Sequence, residues 1–338
     1  MTEKPYVLGI DIGGTNTVFG IVDARGNVLA TGSIKTQKHH VFDDYVDELY
    51  QAASKLITDN DANDKIYGIG IGAPNGNYYT GNIETQINLP WPAPIPLAKV
   101  VSEKFGVPTL VTNDANAAAL GEMTYGVARS MKDFIMITLG TGVGSGVVVG
   151  GQMVYGHDGM AGELGHLTAR RGGRPCACGR NGCLETYCSA TGVVRTAHEF
   201  LAARPDEQTT LRDIQVEEIT SKDVYDAAVG GDKMAKDIFE YTGTILGEML
   251  ADYASFTSPE AFVLFGGLAK SGEMLMRPLM EAFEKNNMPM HRGKIKIMQS
   301  GLPQADAAVL GASALGWEAG RQAASTVATP AQPSVTNS

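Results

Sequence analysis

Three cysteines and a histidine lie close together near the middle of this chain of 338 residues. They are Cys176, Cys178 and Cys183, with His166 upstream, and nearby glycines let the backbone turn tightly around an ion. Three thiolates and an imidazole form a closed tetrahedral site of the kind that holds a structural zinc ion. Cysteine clusters in intracellular chains are typical of metal sites, so the sequence predicts bound Zn²⁺, with a group of reduced buried cysteines as the alternative.

Two glutamates flank the predicted metal ligands. Glu163 precedes the histidine and Glu185 follows the last cysteine. A metal that braces this loop would hold both carboxylates at one place, because each lies close to a ligand in the sequence. The pattern favours a loop that presents acids to a polyhydroxylated ligand. Cys188 lies outside the cluster and is predicted to be a small buried apolar residue.

Glycine turns follow three of the apolar runs that are predicted to be strands. Glycine lets backbone N–H groups converge on an anion, and threonine adds a hydroxyl donor. Each turn alone could be a tight connection at a strand end, but together they predict two half-sites for a nucleotide. The candidate nucleotide-binding residues in these turns are Gly13, Gly14, Thr15, Thr141, Gly142, Gly266 and Gly267.

The carboxylate of Asp11 lies just before the first of these turns. Mg²⁺ prefers one or two carboxylates together with phosphate oxygens, so Asp11 is predicted to bind the Mg²⁺ of a nucleotide directly or through water. The chain contains no Gly-x-x-x-x-Gly-Lys-[Ser/Thr] motif, which excludes a P-loop. Its Gly140-x-Gly142-x-Gly144 run has the wrong spacing for a dinucleotide fingerprint and precedes a strand rather than a helix.

A further carboxylate, Asp114, follows Asn113 where a predicted strand ends and a helix begins. An aspartate at this place could simply cap the helix. The functional interpretation is a general base that takes a proton from a substrate hydroxyl, while Asn113 fixes a neighbouring hydroxyl. A positioned base is typically worth about 10²–10⁴ in rate.

The pattern of apolar runs predicts an α/β chain with an internal duplication. A strand, a glycine–threonine turn, a second strand, a hairpin and a third strand occur near the start and again after residue 132. The predicted strands cover 6–12, 17–22, 28–34, 66–72, 107–112, 133–139, 145–149, 152–156, 261–265 and 294–298. The predicted helices cover 43–57, a segment after Asp114, 190–203, 221–229, 232–256, 273–287 and 305–319, with only a proline-rich loop between the strands at 66–72 and 107–112.

Composition limits the class of partner. A net charge of −10 argues against nucleic acid or an anionic membrane, since both require a basic face. No apolar run approaches the ~20 residues that span a bilayer, and the first residues lack the long apolar region of a signal peptide. With cysteines that are predicted to hold a metal, these features predict a cytoplasmic location.

Four motifs in this order and spacing resemble the ROK family (repressor, open reading frame, kinase). They are Asp11-Ile-Gly-Gly-Thr15, Asn113-Asp114-Ala-Asn116, Gly162-Glu163-Leu-Gly-His166 and Cys176-x-Cys178-Gly-x-x-Gly-Cys183-x-Glu185. The resemblance covers residues 6 to about 320. It implies the duplicated actin/hexokinase-type (ribonuclease H-like) α/β fold, with two domains and an interdomain cleft. One departure is Asn75, because many members have glycine directly after the proline of this loop.

The resemblance also implies residue roles. Asp114 would be the catalytic base, and the zinc ligands would be His166, Cys176, Cys178 and Cys183. Contacts to the sugar would come from Gly76, Asn88, Asn113, Asp114, Glu163, His166 and Glu185. Contacts to Mg²⁺ and ATP would come from Asp11, Gly13, Gly14, Thr15, Thr141, Gly142, Gly266 and Gly267.

The implied activity is ATP-dependent phosphorylation of a hexose at its terminal hydroxyl, with glucose as the expected substrate. Fructose, mannose and N-acetylmannosamine stay open, as does polyphosphate as a donor. Family repressors carry an added helix-turn-helix, and the residues before the first predicted strand are expected to leave no room for one, which weighs against a regulator. The alternative of another class is a non-catalytic sugar sensor that acts through partners. The expected organisation is a small domain of residues 1–120 and 305–320, a larger domain of 121–304 with the zinc loop and a homodimer surface, and a disordered tail from 321 to 338.

Overall fold

The computed structural model describes residues 4–86, 89–303 and 306–328. Within these ranges the strands are β1 Tyr6–Ile12, β2 Asn16–Asp23, β3 Val28–Lys35, β4 Ile66–Gly72, β5 Thr109–Thr112, β6 Phe134–Leu139, β7 Val143–Val149, β8 Gln152–Met153, β9 Ala261–Phe265 and β10 Lys296–Gln299. The α-helices are α1 Phe42–Asp59, α2 Leu97–Phe105, α3 Asp114–Tyr125, α4 Glu185–Cys188, α5 Ala190–Ala203, α6 Ser221–Val229, α7 Lys233–Thr257, α8 Glu273–Asn286 and α9 Ala307–Ala328.

The described strands form two sheets that share one topology. The first has the order β3-β2-β1-β4-β5 and the second the order β8-β7-β6-β9-β10, and each has five strands. In both sheets the first three strands pair antiparallel, and the last two extend the sheet in parallel. The repeated order agrees with the internal duplication that the sequence pattern predicts.

The contacts divide the chain into two compact units, each with its own apolar core. Unit 1 takes the described residues of Met1–Arg129, Tyr155–Met160 and Leu302–Ser338, and unit 2 takes Ser130–Val154 and Ala161–Gly301. The division falls at Arg129 rather than at residue 120, because helix α3 continues to Tyr125. Apolar side chains of β1, β4 and α1 fill the core of unit 1, and those of β6, β9, α7 and α8 fill the core of unit 2.

Three segments differ from the sequence expectation. Helix α2 follows the proline-rich loop, which was expected to be the whole connection between β4 and β5; its end is capped by Gly106 in a left-handed conformation (φ 65°). Strand β8 is shorter than predicted, because the segment that begins at Tyr155 leaves the sheet and packs in unit 1. There the ring of Tyr155 stacks on the ring of Tyr78, with 4.0 Å between the centroids. Residues 321–328 belong to helix α9 and are not a disordered tail.

The extension of α9 has a simple physical reason. Alanine has the highest intrinsic helix propensity, and a helix that is already nucleated and packed propagates at little cost. Residues 329–338 lie outside the described ranges. None of the helices that the structure describes combines the length and the apolar character needed to span a membrane.

Candidate active site

The register of the first sheet brings the predicted acids of unit 1 to one edge. Asp11 pairs with Gly72 across β1 and β4, and Gly72 pairs with Thr112 across β4 and β5. A Cβ built on Gly72 would lie 3.4 Å from Asp11 Oδ1 and 3.6 Å from the Cα of Asp114. Because the carboxyl ends of neighbouring parallel strands meet here, this edge is where an open α/β sheet binds its ligand.

Helix α3 begins at Asp114, and its cap is the preceding residue. The side-chain oxygen of Asn113 accepts a hydrogen bond from the amide of Ala115 at 2.9 Å, which is the N-cap interaction. Asp114 Oδ1 also accepts from the Ala115 amide, at 2.8 Å. The capping role that was open for Asp114 therefore belongs to Asn113, whose side-chain oxygen is engaged in it.

The two acids of this edge disfavour each other's charge. Burial raises the pKa of Asp11 to about 7, and the charge of Asp114 adds to the rise. The side chain of Asp114 is accessible to solvent at its surface. Desolvation by the surrounding protein nevertheless raises the pKa of its carboxyl, and the hydrogen bond from the Ala115 amide offsets part of this rise. A cation or a proton at this edge relieves the repulsion.

The first glycine turn, Gly13 to Thr15, connects β1 to β2 directly after Asp11. The Gly13 amide donates to the Asn16 carbonyl at 2.9 Å, and the Thr15 carbonyl accepts from the Thr36 amide at 3.0 Å. The turn is thus the tip of a hairpin. Its glycines lie two and three residues after Asp11. Their contact with a nucleotide stays a prediction.

The other two turns leave neighbouring parallel strands of unit 2. Thr138 of β6 pairs with Phe265 of β9, and a Cβ built on Gly266 would overlap the Leu139 carbonyl, so the turn after β9 begins beside the end of β6. The Thr141 carbonyl accepts a hydrogen bond from Thr191 Oγ1 at 2.9 Å, and this bond joins the turn after β6 to the start of α5. A cavity of about 220 Å³ opens beside Gly267. It is lined by Ser221, Lys222, Tyr225, Gly267, Leu268, Lys270 and Ser271.

The predicted metal ligands lie together in unit 2. The Nδ1 atom of His166 is 3.6 Å from Cys176 Sγ, the Sγ atoms of Cys178 and Cys183 are 3.7 Å apart, and all four ligand atoms lie within 4.8 Å of one another. Two sulfurs bonded at about 2.3 Å to one tetrahedral zinc ion would be about 3.8 Å apart, and a sulfur and a nitrogen about 3.6 Å. The residues present therefore fit a zinc ion.

The protonation of the thiols sets a condition on this fit. Burial raises the pKa of the Cys183 thiol to about 12, and hydrogen bonds with the other two thiols add to the rise. A thiolate ligand at this position requires a cation nearby. Cys188 lies apart from the cluster, buried, with its Sγ 3.4 Å from the Thr242 carbonyl, as the sequence predicts.

Of the three predicted sugar-contacting residues of unit 2, His166 belongs to this cluster and Glu163 and Glu185 lie beside it. If His166 binds the ion through Nδ1, its Nε2 atom faces outward, 3.9 Å from a carboxylate oxygen of Glu163. Glu185 Oε1 is 3.8 Å from Cys176 Sγ, and Oε2 accepts a hydrogen bond from the Val143 amide at 3.0 Å. A Cβ on Gly142 would overlap this carboxylate. Glu185 thus joins the metal loop to the glycine turn after β6, a contact that sequence reasoning missed.

Two further residues that the sequence did not single out hold the Glu163 segment. Ser145 Oγ on β7 accepts from the Leu164 amide at 3.1 Å and donates to the Gly162 carbonyl. Tyr253 of α7 donates its hydroxyl to the Leu164 carbonyl at 2.7 Å. The signal available in the sequence was the small polar residue between glycines in β7, which faces the loop rather than the core.

The loop after β4 explains the departure at Asn75. This residue has φ 53°, in the left-handed region, which asparagine tolerates better than most residues and glycine best. A Cβ on Gly76 would overlap the Thr112 backbone, so Gly76 allows the close approach of this loop to β5. Its sugar contact stays a prediction. Asn88, also predicted to contact sugar, lies outside the described residues.

The chain is similar to known proteins over nearly its whole length. The ROK family model matches residues 7–318. The glucokinase of Halalkalibacterium halodurans is 37% identical over 304 residues, which are 86% of this chain and 88% of that protein. The chain is also similar to the crystal structure of a ROK family glucokinase from Streptomyces griseus in complex with glucose and AMPPNP, at 32% identity and a TM-score of 0.77, over 93% of this chain and 99% of that one.

The ROK hexokinase of Thermus thermophilus is a second similar structure, at 28% identity and a TM-score of 0.80, over 94% of this chain and 99% of the hexokinase. With the two sheets of equal topology, these similarities confirm the duplicated actin/hexokinase-type α/β fold.

Proposed function

This chain belongs to the ROK family, and on that premise we propose that it is an ATP-dependent hexose kinase, a glucokinase that converts glucose to glucose 6-phosphate. The observation that carries the proposal within the structure is the pair of acids at the edge of the first sheet. Asp114 is accessible, its pKa is raised, and the helix cap is supplied by Asn113.

In the proposed reaction Asp114 takes the proton of the terminal hydroxyl of the sugar as that oxygen attacks the γ-phosphate. A raised pKa suits this role, because a general base works best when its pKa approaches the working pH. Asp11 would meet the Mg²⁺ that arrives with ATP as substrate, and that charge would stabilise both carboxylates in their ionised form.

The glycine turns of unit 2 are proposed to receive the nucleotide. Backbone amides of the Thr141–Gly142 turn and of Gly266–Gly267 would donate to phosphate oxygens, as positioning of phosphates provides much of phosphoryl-transfer catalysis. In unit 1 the Gly13–Thr15 turn would serve the same purpose beside Asp11. The side chain of Thr141 would add a hydroxyl donor.

Recognition of the sugar is proposed to use Glu163, His166 and Glu185. A zinc ion on the four fitted ligands would fix the loop that carries these side chains and would take no part in phosphoryl transfer. With Nδ1 on the metal, the His166 ring would present Nε2–H to a sugar hydroxyl or to Glu163. Asn113 and Gly76 are the proposed contacts on unit 1.

The proposal includes a cytoplasmic location, which the reduced cysteines support. It also includes a homodimer, which the family resemblance supports. Kinases for fructose, mannose or N-acetylmannosamine would use the same catalytic residues, since one altered group on the sugar is often worth only about 1–3 kcal/mol. A non-catalytic sensor is the alternative of another class; it has no need for two mutually repelling acids at one sheet edge.

The test is ADP formation from Mg-ATP with glucose, mannose, fructose and N-acetylmannosamine, each at several concentrations. We expect glucose to give the highest kcat/KM and glucose 6-phosphate to be the product by an enzyme-coupled assay. A higher kcat/KM with another sugar would keep the kinase and change its substrate. Absence of ADP with every sugar, from protein that retains zinc, would contradict the proposal and favour the sensor.

A further inference from the structure

The metal loop contains a buried arginine that the proposed reaction does not use. Arg174 precedes Cys176 by two residues and is 7% exposed. A buried guanidinium is costly unless all its donors are paired. This one is fully paired, because each of its five N–H groups has an acceptor in the structure.

The acceptors of Arg174 come from the two helices that follow the loop. Nε and Nη2 form a bidentate pair with Glu199, at 2.8 and 2.6 Å. Nη2 also donates to Thr196 Oγ1 at 2.9 Å, and Nη1 donates to the carbonyls of Thr186 at 2.7 Å and Gly192 at 3.2 Å. One side chain thus connects the loop to α4 and to the first three turns of α5.

The aromatic ring of Tyr187 completes this anchor. The guanidinium carbon of Arg174 lies 4.4 Å from the ring centroid, within the range of a cation–π contact. The Tyr187 hydroxyl in turn accepts a hydrogen bond from the backbone amide of Arg174 at 3.0 Å. Backbone and side chain of one loop residue therefore hold the same tyrosine.

The anchor formed by Arg174 with Thr186 and Tyr187 lies directly after Glu185 in the chain. Thr186 and Tyr187 directly follow Glu185, whose carboxylate contacts the Val143 amide and Cys176. The metal ligands are close neighbours in the chain: Cys176 follows Arg174 by two residues, and Cys183, whose carbonyl accepts from the Thr186 amide at 3.0 Å, precedes Glu185 by two. None of the five side-chain hydrogen bonds of Arg174 goes to a metal ligand. The loop therefore has two neighbouring attachments with different partners: the four ligand side chains face one another, and the Arg174 guanidinium bonds to α4 and α5.

We propose that Arg174 is a positioning residue for Glu185 that acts independently of the metal. The inference rests on the proposed function, because it takes Glu185 as a sugar contact. It divides the sugar-recognition residues into two groups. Loss of zinc releases His166 and the cysteine segment, while Glu185 keeps its place; loss of the Arg174 guanidinium releases Glu185, while zinc stays bound.

The test compares Arg174→Lys with zinc-stripped wild-type protein. Lysine keeps the charge but cannot supply the planar fork of donors. Arg195→Lys is a matched control, because Arg195 is less buried and its guanidinium makes a hydrogen bond to the same loop, at the Pro175 carbonyl, 3.0 Å. The readouts are zinc per chain, amide hydrogen exchange along residues 163–192, and kcat and KM for glucose.

For Arg174→Lys we expect zinc content to stay at the wild-type value, exchange to rise in residues 184–192, and the KM for glucose to rise about tenfold, with a smaller change in kcat. Zinc removal should raise exchange in residues 163–183 and leave 186–192 protected. Arg195→Lys should change none of these. Guanidinium ion added at millimolar concentration to Arg174→Ala should restore part of the glucose affinity.

Three results would overturn the proposal. They are loss of zinc by Arg174→Lys, equal deprotection of residues 186–192 when zinc is removed from the wild type, and an unchanged glucose KM in a variant with altered exchange. The wild-type exchange experiment needs no variant, so it decides the question even if Arg174→Lys does not fold. A wild type that phosphorylates no sugar would refute the proposed function, while the exchange pattern would still report on the independence of the two attachments.

Discussion

Replacement of Asp11 by asparagine should stabilise the ligand-free protein in a pH-dependent way. Burial, with the charge of Asp114, raises the pKa of Asp11 to about 7. The pKa of an aspartate in an unfolded chain is about 3.9, the value found in model peptides. Between about pH 4 and pH 7 the folded protein therefore holds a proton that the unfolded chain has lost, and native stability falls as the pH rises through this window.

The size of the effect follows from the difference between the two pKa values. About three units at 1.36 kcal/mol each correspond to about 4 kcal/mol as an upper bound, reached above pH 7. At about pH 4 the gain should be below about 1 kcal/mol, because the folded protein then binds the proton and the unfolded chain still binds about half of it. An asparagine side chain at this position would keep the shape of the aspartate and carry no charge at any pH.

Urea unfolding followed by tryptophan fluorescence is the appropriate assay. Both tryptophans of the chain, Trp91 and Trp317, lie in unit 1 with Asp11, so the signal reports on the affected unit. Asp44→Asn, at an exposed acid in the first turn of α1, is the control and should change stability little at any pH. A variant at position 11 that is no more stable than the wild type at pH 8, or whose gain is equal at pH 4 and pH 8, would refute the reasoning. The same variant should lose kinase activity, a trade of function for stability.

The remaining predictions concern the loop, the turn and the base. Cys178→Ser should lower zinc content, thermal stability and glucose affinity together, as measured by metal analysis, thermal unfolding and calorimetry; full zinc content with wild-type affinity would exclude a bracing role for the metal. Gly142→Ala should reduce kcat/KM at least about tenfold, because its methyl group would displace the Glu185 carboxylate; wild-type kinetics would show that this contact is dispensable. The pH profile of kcat/KM should fall on the acidic side through the pKa of Asp114, which burial raises, since only the ionised carboxylate accepts a proton; an acidic limb that is unchanged in Asp114→Asn would argue against this residue as the base.

The sequence was most informative where a single physical signal dominates. The apolar runs located the strands of both sheets, and their repetition indicated the shared topology. The spacing of Cys176, Cys178, Cys183 and His166 located a ligand set that the structure brings within 4.8 Å. These features depend on local pattern or on residue chemistry, and both are visible without the fold.

Features that depend on tertiary contacts were not accessible. The sequence did not predict helix α2, because the prolines before it indicate a loop. It did not predict the last turns of α9, because their alanine- and serine-rich composition also occurs in disordered tails. The contact of Glu185 with the Val143 amide joins residues 42 positions apart, and no periodicity marks it. The five-donor pairing of Arg174 likewise depends on how α4 and α5 pack beside the loop.

The most direct test of the central claim is the turnover number of Asp114→Asn with saturating glucose and Mg-ATP. We expect kcat to fall by at least about 10²-fold, while the KM for ATP changes little and zinc content is unchanged, because asparagine preserves the start of helix α3 but cannot accept the proton. Asp44→Asn, measured beside it, should retain wild-type turnover. A kcat for Asp114→Asn within threefold of the wild type would contradict the assignment of Asp114 as the catalytic base.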